Sequence, residues 1–126
     1  MITSVEEMIT QYLAAWNENN LESYTREFAK CWAPGALYSD PFGEYRGVEG
    51  LAGFAQKSLE IIPSREFKVL EKPEFHHQFG RYAWIVEFAG QTNVGYDFFK
   101  FNDQFEITEL VSFFKLPESY PIEKLT

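Results

Sequence analysis

An aspartate in the middle of an aromatic strand is costly unless its side chain has a purpose or a partner. In Val94 to Phe101, Lys100 should keep away from the core, which places Tyr96 and Phe98 on its face. Asp97 then points the other way, with Phe99 and Phe101. A carboxylate buried there must give up solvation or take a proton, so its pKa is expected to rise, and a neutral acid at that position could donate a hydrogen bond. The opposite register would put Asp97 in water and the other aromatic set inside. Asp40 precedes Pro41, Phe42 and Gly43, a turn where Asp commonly bonds neighbouring backbone. Tyr38 shares its face by alternation and Phe42 suits a pocket rim, so Asp40 is also a candidate general base. Tyr12 adds a phenol on the apolar stripe of a helix, where a buried hydroxyl either fills the core or finds a partner. A phenol and two carboxyls around one aromatic cavity fit proton abstraction next to a carbonyl. One carboxylate takes the proton, and two neutral donors hold the developing oxyanion.

Those groups need elements to position them. Ser4 with Glu7 has the form of a capping box, and Val5, Met8, Ile9, Tyr12, Leu13 and Trp16 recur at helical spacing, predicting a helix from about Ser4 to Asn17. Asn20 caps a second helix with the stripe Leu21, Tyr24, Phe28 and Trp32, which Pro34 and Gly35 stop. Ala36 to Asp40 reads as a short strand. Gly47 and Gly50 precede a third amphipathic helix, with Leu51, Phe54, Ala55, Leu59 and Ile62 on one side and Pro63 at its end. Four aromatic, β-branched segments follow, near Phe67 to His77, Arg81 to Gly90, Val94 to Phe101 and Gln104 to Phe114. Their short connections predict an antiparallel meander with the helices on one side. In the second of them Tyr82, Trp84, Val86 and Phe88 face inward. The tail with Pro117 and Pro121 reads as an irregular end.

Aromatic residues make up 18% of the chain, enough both to fill a core and to line a cavity. Trp16, Phe28, Trp32 and Phe54 from the helices are candidate ligand-lining residues. Tyr38, Phe42, Trp84, Phe99 and Phe113 are candidates from the strands and turns. Tyr96, Phe98 and Ile85 on the outer sheet face need a cover, and a second copy of the chain is the simplest, so a homodimer through the sheet is expected.

A length of 126 residues suits one domain over residues 1–126. With a net charge of -8 and no Lys/Arg cluster, nucleic acid is an unsuitable partner, and no apolar run reaches the roughly 20 residues of a membrane span. Met1 to Glu7 lacks the basic-then-apolar pattern of a leader, so the cytoplasm is the expected location. Cys31, the single cysteine, reads as a small core residue. His76 and His77 lie on a strand, one inward and one outward, without further ligands at chelating spacing, so no metal and no cofactor are expected. Phosphate loops, serine elbows and Cys/His constellations are not found.

Gln11 to Asn17, Tyr38 to Gly43, Gly47 to Leu51, Gly95 to Phe101 and the pair Phe113, Phe114, in this order of elements, resemble the NTF2-like superfamily with its SnoaL-like and ketosteroid isomerase branches. The resemblance implies an α+β fold: a cone-shaped barrel with three N-terminal helices packed on a curved antiparallel β-sheet, usually dimeric, with the pocket in the mouth of the cone. In the isomerase branch an aspartate after the first strand is the base, matched by Asp40. Its oxyanion hole pairs a tyrosine of the first helix with a strand carboxylic acid kept neutral by an apolar site, matched by Tyr12 and Asp97. In the SnoaL-like cyclases a strand aspartate acts as acid and base, a role Asp97 could fill. Either branch implies a small apolar or carbonyl-containing ligand. An epoxide hydrolase of this fold would need an Asp, Arg, Asp arrangement, and no inward arginine is evident from the spacing.

Overall fold

The computed structural model describes residues 1–115. In chain order the elements are α1 (Val5–Trp16), α2 (Leu21–Phe28), β1 (Trp32–Asp40), β2 (Gly43–Arg46), α3 (Gly47–Ile61), β3 (Glu66–His76), β4 (Phe79–Phe88), β5 (Gln91–Phe101) and β6 (Ile107–Phe114). The tail carrying Pro117 and Pro121 lies outside the described residues.

Helix α1 starts where its sequence says it should. The Glu7 amide donates to Ser4 Oγ at 3.1 Å, and the Glu7 carboxylate accepts from Thr3 Oγ1 at 3.0 Å. Such a cap contributes about 1 kcal/mol. Asn20 caps α2 in the same way, its Oδ1 accepting from the Ser23 amide at 2.8 Å. The second helix, however, ends at Phe28, short of the expected Trp32. The amides of Lys30 and Cys31 bond back three residues to Glu27 and Phe28, a tightening that closes the helix before Pro34 is reached. Trp32 therefore opens β1, and Leu21, expected on the buried stripe, is exposed. Pro34 and Gly35 sit inside the strand, where the pairing register with β6 shifts between Trp32 and Leu37 and no ladder amide is required of the proline.

All six strands form one open sheet in the order β2-β1-β6-β5-β4-β3. Strands β3 to β6 make the expected meander, whereas β1 runs parallel to β6. No short turn joins that pair, so nothing forces the antiparallel direction there. The four-residue β2, absent from the expected element order, returns from the Asp40 turn to pair with β1. Among the described residues β2 and β3 are the edges of the sheet, so the cone is half-wrapped and not closed.

The helices cover the concave face. Tyr12 stacks on Trp32 with centroids 5.8 Å apart, and Trp16 meets Phe28, Phe54 and Phe67 at 5.4–6.1 Å. In β5 the buried set is Gly95, Asp97, Phe99 and Phe101, while Val94, Tyr96, Phe98 and Lys100 are exposed, the alternation expected from Lys100. The histidine pair departs from expectation. His77 adopts a left-handed φ of 55° in the β3–β4 turn, and both imidazoles are exposed with their Nδ1 atoms 3.0 Å apart.

Candidate functional site

Between the helices and the concave face lies a cavity of about 580 Å3, mouth included, of which about 60 Å3 is open to the centre of a water molecule. The accessible part of this slot is small, so a ligand must lie close against its walls. Its walls are largely aromatic, and the groups that could do chemistry converge on it.

Asp97 is 2% exposed. The sheet register builds its surroundings: on β5 it lies opposite Tyr82 of β4 and Ser112 of β6. The Tyr82 hydroxyl donates to Oδ2, the Trp84 indole N–H donates to Oδ1 at 2.8 Å, and Ser112 is the third hydrogen-bonding neighbour. Burial pushes the carboxyl up to about 6 against the downward pull of these three bonds, and the charge of Asp40 adds to the rise. Desolvation thus outweighs three donors, leaving an acid whose proton can come and go near neutral pH.

Asp40 stands nearer the mouth, half-buried at the end of β1. Its Oδ2 accepts from the Tyr38 hydroxyl at 2.7 Å, and its Oδ1 accepts from the amides of Phe42 and Gly43 at 2.7 and 3.3 Å. The turn-bonding expected of an Asp before Pro41 is present, and the carboxylate still lines the cavity. Burial raises its pKa while Tyr38 and the two amides hold it down. Tyr12 is 1% exposed and also lines the cavity. Burial first, then the negative charge of Asp97, raises its phenol well above the usual range, so the hydroxyl keeps its proton and remains a donor.

Of the aromatic residues expected at the ligand, Trp16, Tyr38, Phe42, Phe54 and Trp84 line the cavity. Phe28 and Trp32 are buried behind Tyr12, and Phe99 packs against Tyr82 and Phe101. Phe113 is placed on the other side of the sheet, 55% exposed. The pairing of Asp97 with Ser112 fixes the parity of β6, so Phe113 shares the outer face with its partner Tyr96, and Phe114 is the residue that turns inward.

Sequence spacing also concealed an inward arginine. Arg65, between α3 and β3, is 6% exposed and lines the cavity. Its guanidinium donates to Ser58 Oγ, to the Tyr24 hydroxyl at 3.3 Å and to the Ala55 carbonyl at 3.2 Å, and it stacks over Trp16 and Phe67. Among the described residues it makes no ion pair with either aspartate, so an Asp, Arg, Asp relay is not assembled. Tyr82 faces inward as its strand alternation predicts, but its bond to Asp97, like the part played by Ser112, was invisible without the pairing register. Cys31 is buried, and burial holds its thiol up at about 12, the state of a core residue. Among the described residues no group of three or more His, Cys, Asp or Glu could hold a metal ion, and no helix is long and apolar enough to cross a membrane.

The sequence profile of the SnoaL-like domain matches residues 9–110. Among solved structures, a SnoaL-like family protein from Agrobacterium tumefaciens, named as a candidate isomerase, superposes with a TM-score of 0.79 at 26% identity, covering 86% of this chain and 95% of that one. A candidate ketosteroid isomerase from Kribbella flavida has a TM-score of 0.70 at 16% identity over 93% of this chain and 82% of its own. A candidate SnoaL-like polyketide cyclase from a Jannaschia species has 0.67 at 14% over 91% and 90%. The last two likenesses are of fold alone. No curated protein matches the sequence. With the profile spanning most of the chain and the half-wrapped cone beneath it, the protein belongs to the SnoaL-like domain family of the NTF2-like superfamily.

Proposed function

We propose that this protein transfers a proton on a hydrophobic carbonyl compound without a cofactor, as an isomerase or a cyclase. The observation that carries the reading is the convergence of Asp40, Asp97 and Tyr12 on one aromatic slot. Asp40, nearer the mouth and held by Tyr38 and two amides, is the base that takes a proton from the carbon next to the carbonyl. Tyr12 and protonated Asp97 donate to the oxygen that gains charge, and the buried setting strengthens both bonds. Asp40, protonated in that step, returns the proton at the far end of the displaced double bond, so both carboxyls end as they began.

Exchange of ketone α-protons for deuterium in D2O, followed by NMR with acetophenone and related aryl ketones, tests this directly. The wild type should accelerate exchange, and Asp40→Asn and Asp97→Ala should lose it while keeping their circular dichroism. Full activity in either variant removes that residue from the mechanism.

A second reading, a non-catalytic binding module, draws support from one observation: both Asp97 oxygens already have partners in Tyr82 and Trp84. An aryl ketone that binds the slot without any acceleration of exchange favours this alternative. In either reading the protein acts as a homodimer through its outer sheet face and works in the cytoplasm. The exposed Tyr96, Phe98 and Phe113 support the first point.

A further inference from the structure

Arg65 is not used by the proposed chemistry, yet it is one of the costliest groups in the molecule to bury. Helix α3 ends at Ile61, and Ser64 with a φ of 60° turns the chain so that the next side chain enters the protein. Three neutral oxygens, those of Ser58, Tyr24 and Ala55, accept from the terminal nitrogens of the guanidinium. Trp16 and Phe67 cover its faces at 5.6 and 5.4 Å. The Nε–H is buried with no hydrogen-bond partner, and no carboxylate lies within ion-pair distance among the described residues. Proteins bury a guanidinium against an acid or leave it wet, because an uncompensated buried charge costs several kcal/mol. Here the unpaired charge borders the cavity.

We infer that Arg65 is an anion subsite, and that the ligand of this cavity is a flat apolar molecule carrying a carboxylate at one end. Placement supports a two-ended ligand. Asp97 on β5 lies between β1, which carries Asp40, and β3, which Arg65 precedes. Asp40 and Arg65 thus reach the slot from toward opposite edges of the sheet, with Asp97 between them. A carboxylate seated at the Arg65 end of the slot supplies the counter-charge that the guanidinium lacks and aims the rest of the molecule along the aromatic walls toward the aspartates. A phosphate ester is disfavoured, since one guanidinium cannot offset a dianion in a slot that already holds two acids. This inference rests on the slot being a ligand site and narrows what it takes.

Benzoate and benzamide share a shape and differ in charge, so together they separate the subsite from the slot. Binding is read at pH 7.5 by quenching of tryptophan fluorescence, since Trp16 and Trp84 line the cavity, and by calorimetry. The wild type should bind benzoate at least tenfold more tightly than benzamide. Arg65→Gln should abolish that preference and leave benzamide within threefold. Should Arg65→Gln fail to fold, the Arg65 Nε–H resonance of the wild type decides: it should shift with benzoate and stay put with benzamide. Equal affinities in the wild type, a preference that survives Arg65→Gln, or an unmoved Nε–H resonance each overturn the subsite while leaving the slot as a ligand site. Binding of neither probe overturns the subsite and the ligand-site reading together.

Discussion

At the scale of single residues, the two aspartates show burial and hydrogen bonding pulling against each other. Asp97 stands at about 6 in the fold against 3.8 for the free group. A carboxyl raised in this way binds its proton more tightly folded than unfolded. Its contribution to stability is therefore complete below the unfolded value and is lost as pH climbs through the folded one. A shift of this size corresponds to about 3 kcal/mol. The stability of the wild type minus that of Asp97→Asn should thus fall by about 2 kcal/mol between pH 4 and pH 7, read by urea unfolding at both values. A difference that stays flat would contradict the environment described for Asp97. Asp40 gives the complementary case. The Tyr38 hydroxyl favours its charged form, so Tyr38→Phe should move the Asp40 pKa further up, measured by carboxyl carbon NMR titration. An unchanged or lowered value would mean that the amides of Phe42 and Gly43 alone hold the charge. The inward aim of Asp97 was legible in the sequence because Lys100 fixed the parity of one strand. The inward aim of Arg65 was not, because it follows a helix end and a left-handed Ser64, where no periodicity applies.

Elements decide which of these residues meet. The Trp84 indole reaches Asp97 by lying across Gly95, its pairing partner on β5, and a β-carbon built on Gly95 would come within 2.0 Å of the indole. Gly80 leaves room for the Phe99 ring in the same manner. Gly95→Ala should therefore push the indole aside, costing about 1–3 kcal/mol, the usual range for overpacking. It should also raise the Asp97 pKa by withdrawing a donor. Urea unfolding and NMR titration of one sample check both; a stable variant with Asp97 unmoved would show that the indole does not depend on that gap. The glycine was visible in the sequence, but its purpose was not, since strand alternation assigns faces and says nothing of which residues pair across strands. The same limit explains Phe113 and Phe114: β6 carries a register irregularity where Phe101 pairs with Ile107 and Lys100 with Glu109, so counting from its start gives the wrong face at its end. Helix α1, the capped start of α2 and the four long strands were legible because each rests on local signals. The early end of α2 rests on a tightening of its last turn that side-chain spacing does not signal, and the short β2 depends on its pairing with β1.

For the whole molecule the unresolved asymmetry is between the two faces of the sheet. The helices cover the concave face, while the convex face exposes Val94, Tyr96, Phe98 and Phe113 at 40–55%. These residues form one surface. Tyr96 pairs with Phe113 across the strands, and Phe98 meets Phe113 edge-on at 5.9 Å. A contiguous aromatic patch in water is unfavourable by roughly 25 cal/mol per Å2 of apolar area, a term that a second copy laid face to face would recover twice. Charge opposes the pairing, because each chain carries -8 and two would approach with like sign. Burial should win at close range, since Coulomb repulsion between surface charges is screened beyond about 8 Å at physiological salt. Two outcomes follow: sedimentation at micromolar concentration should give a dimer, and raising the salt should tighten it. Phe98→Glu, which adds a charge at the centre of the patch and touches nothing in the slot, should give a folded monomer. A wild-type monomer, or a dimer that survives Phe98→Glu, would show that this face does not join two copies. Because Asp97 and Phe99 alternate with Tyr96 and Phe98 on the same strand, loosening the outer contact should also widen the slot. Benzamide affinity measured in the folded Phe98→Glu monomer should fall, and an unchanged value would mean that the inner face holds its shape without the partner.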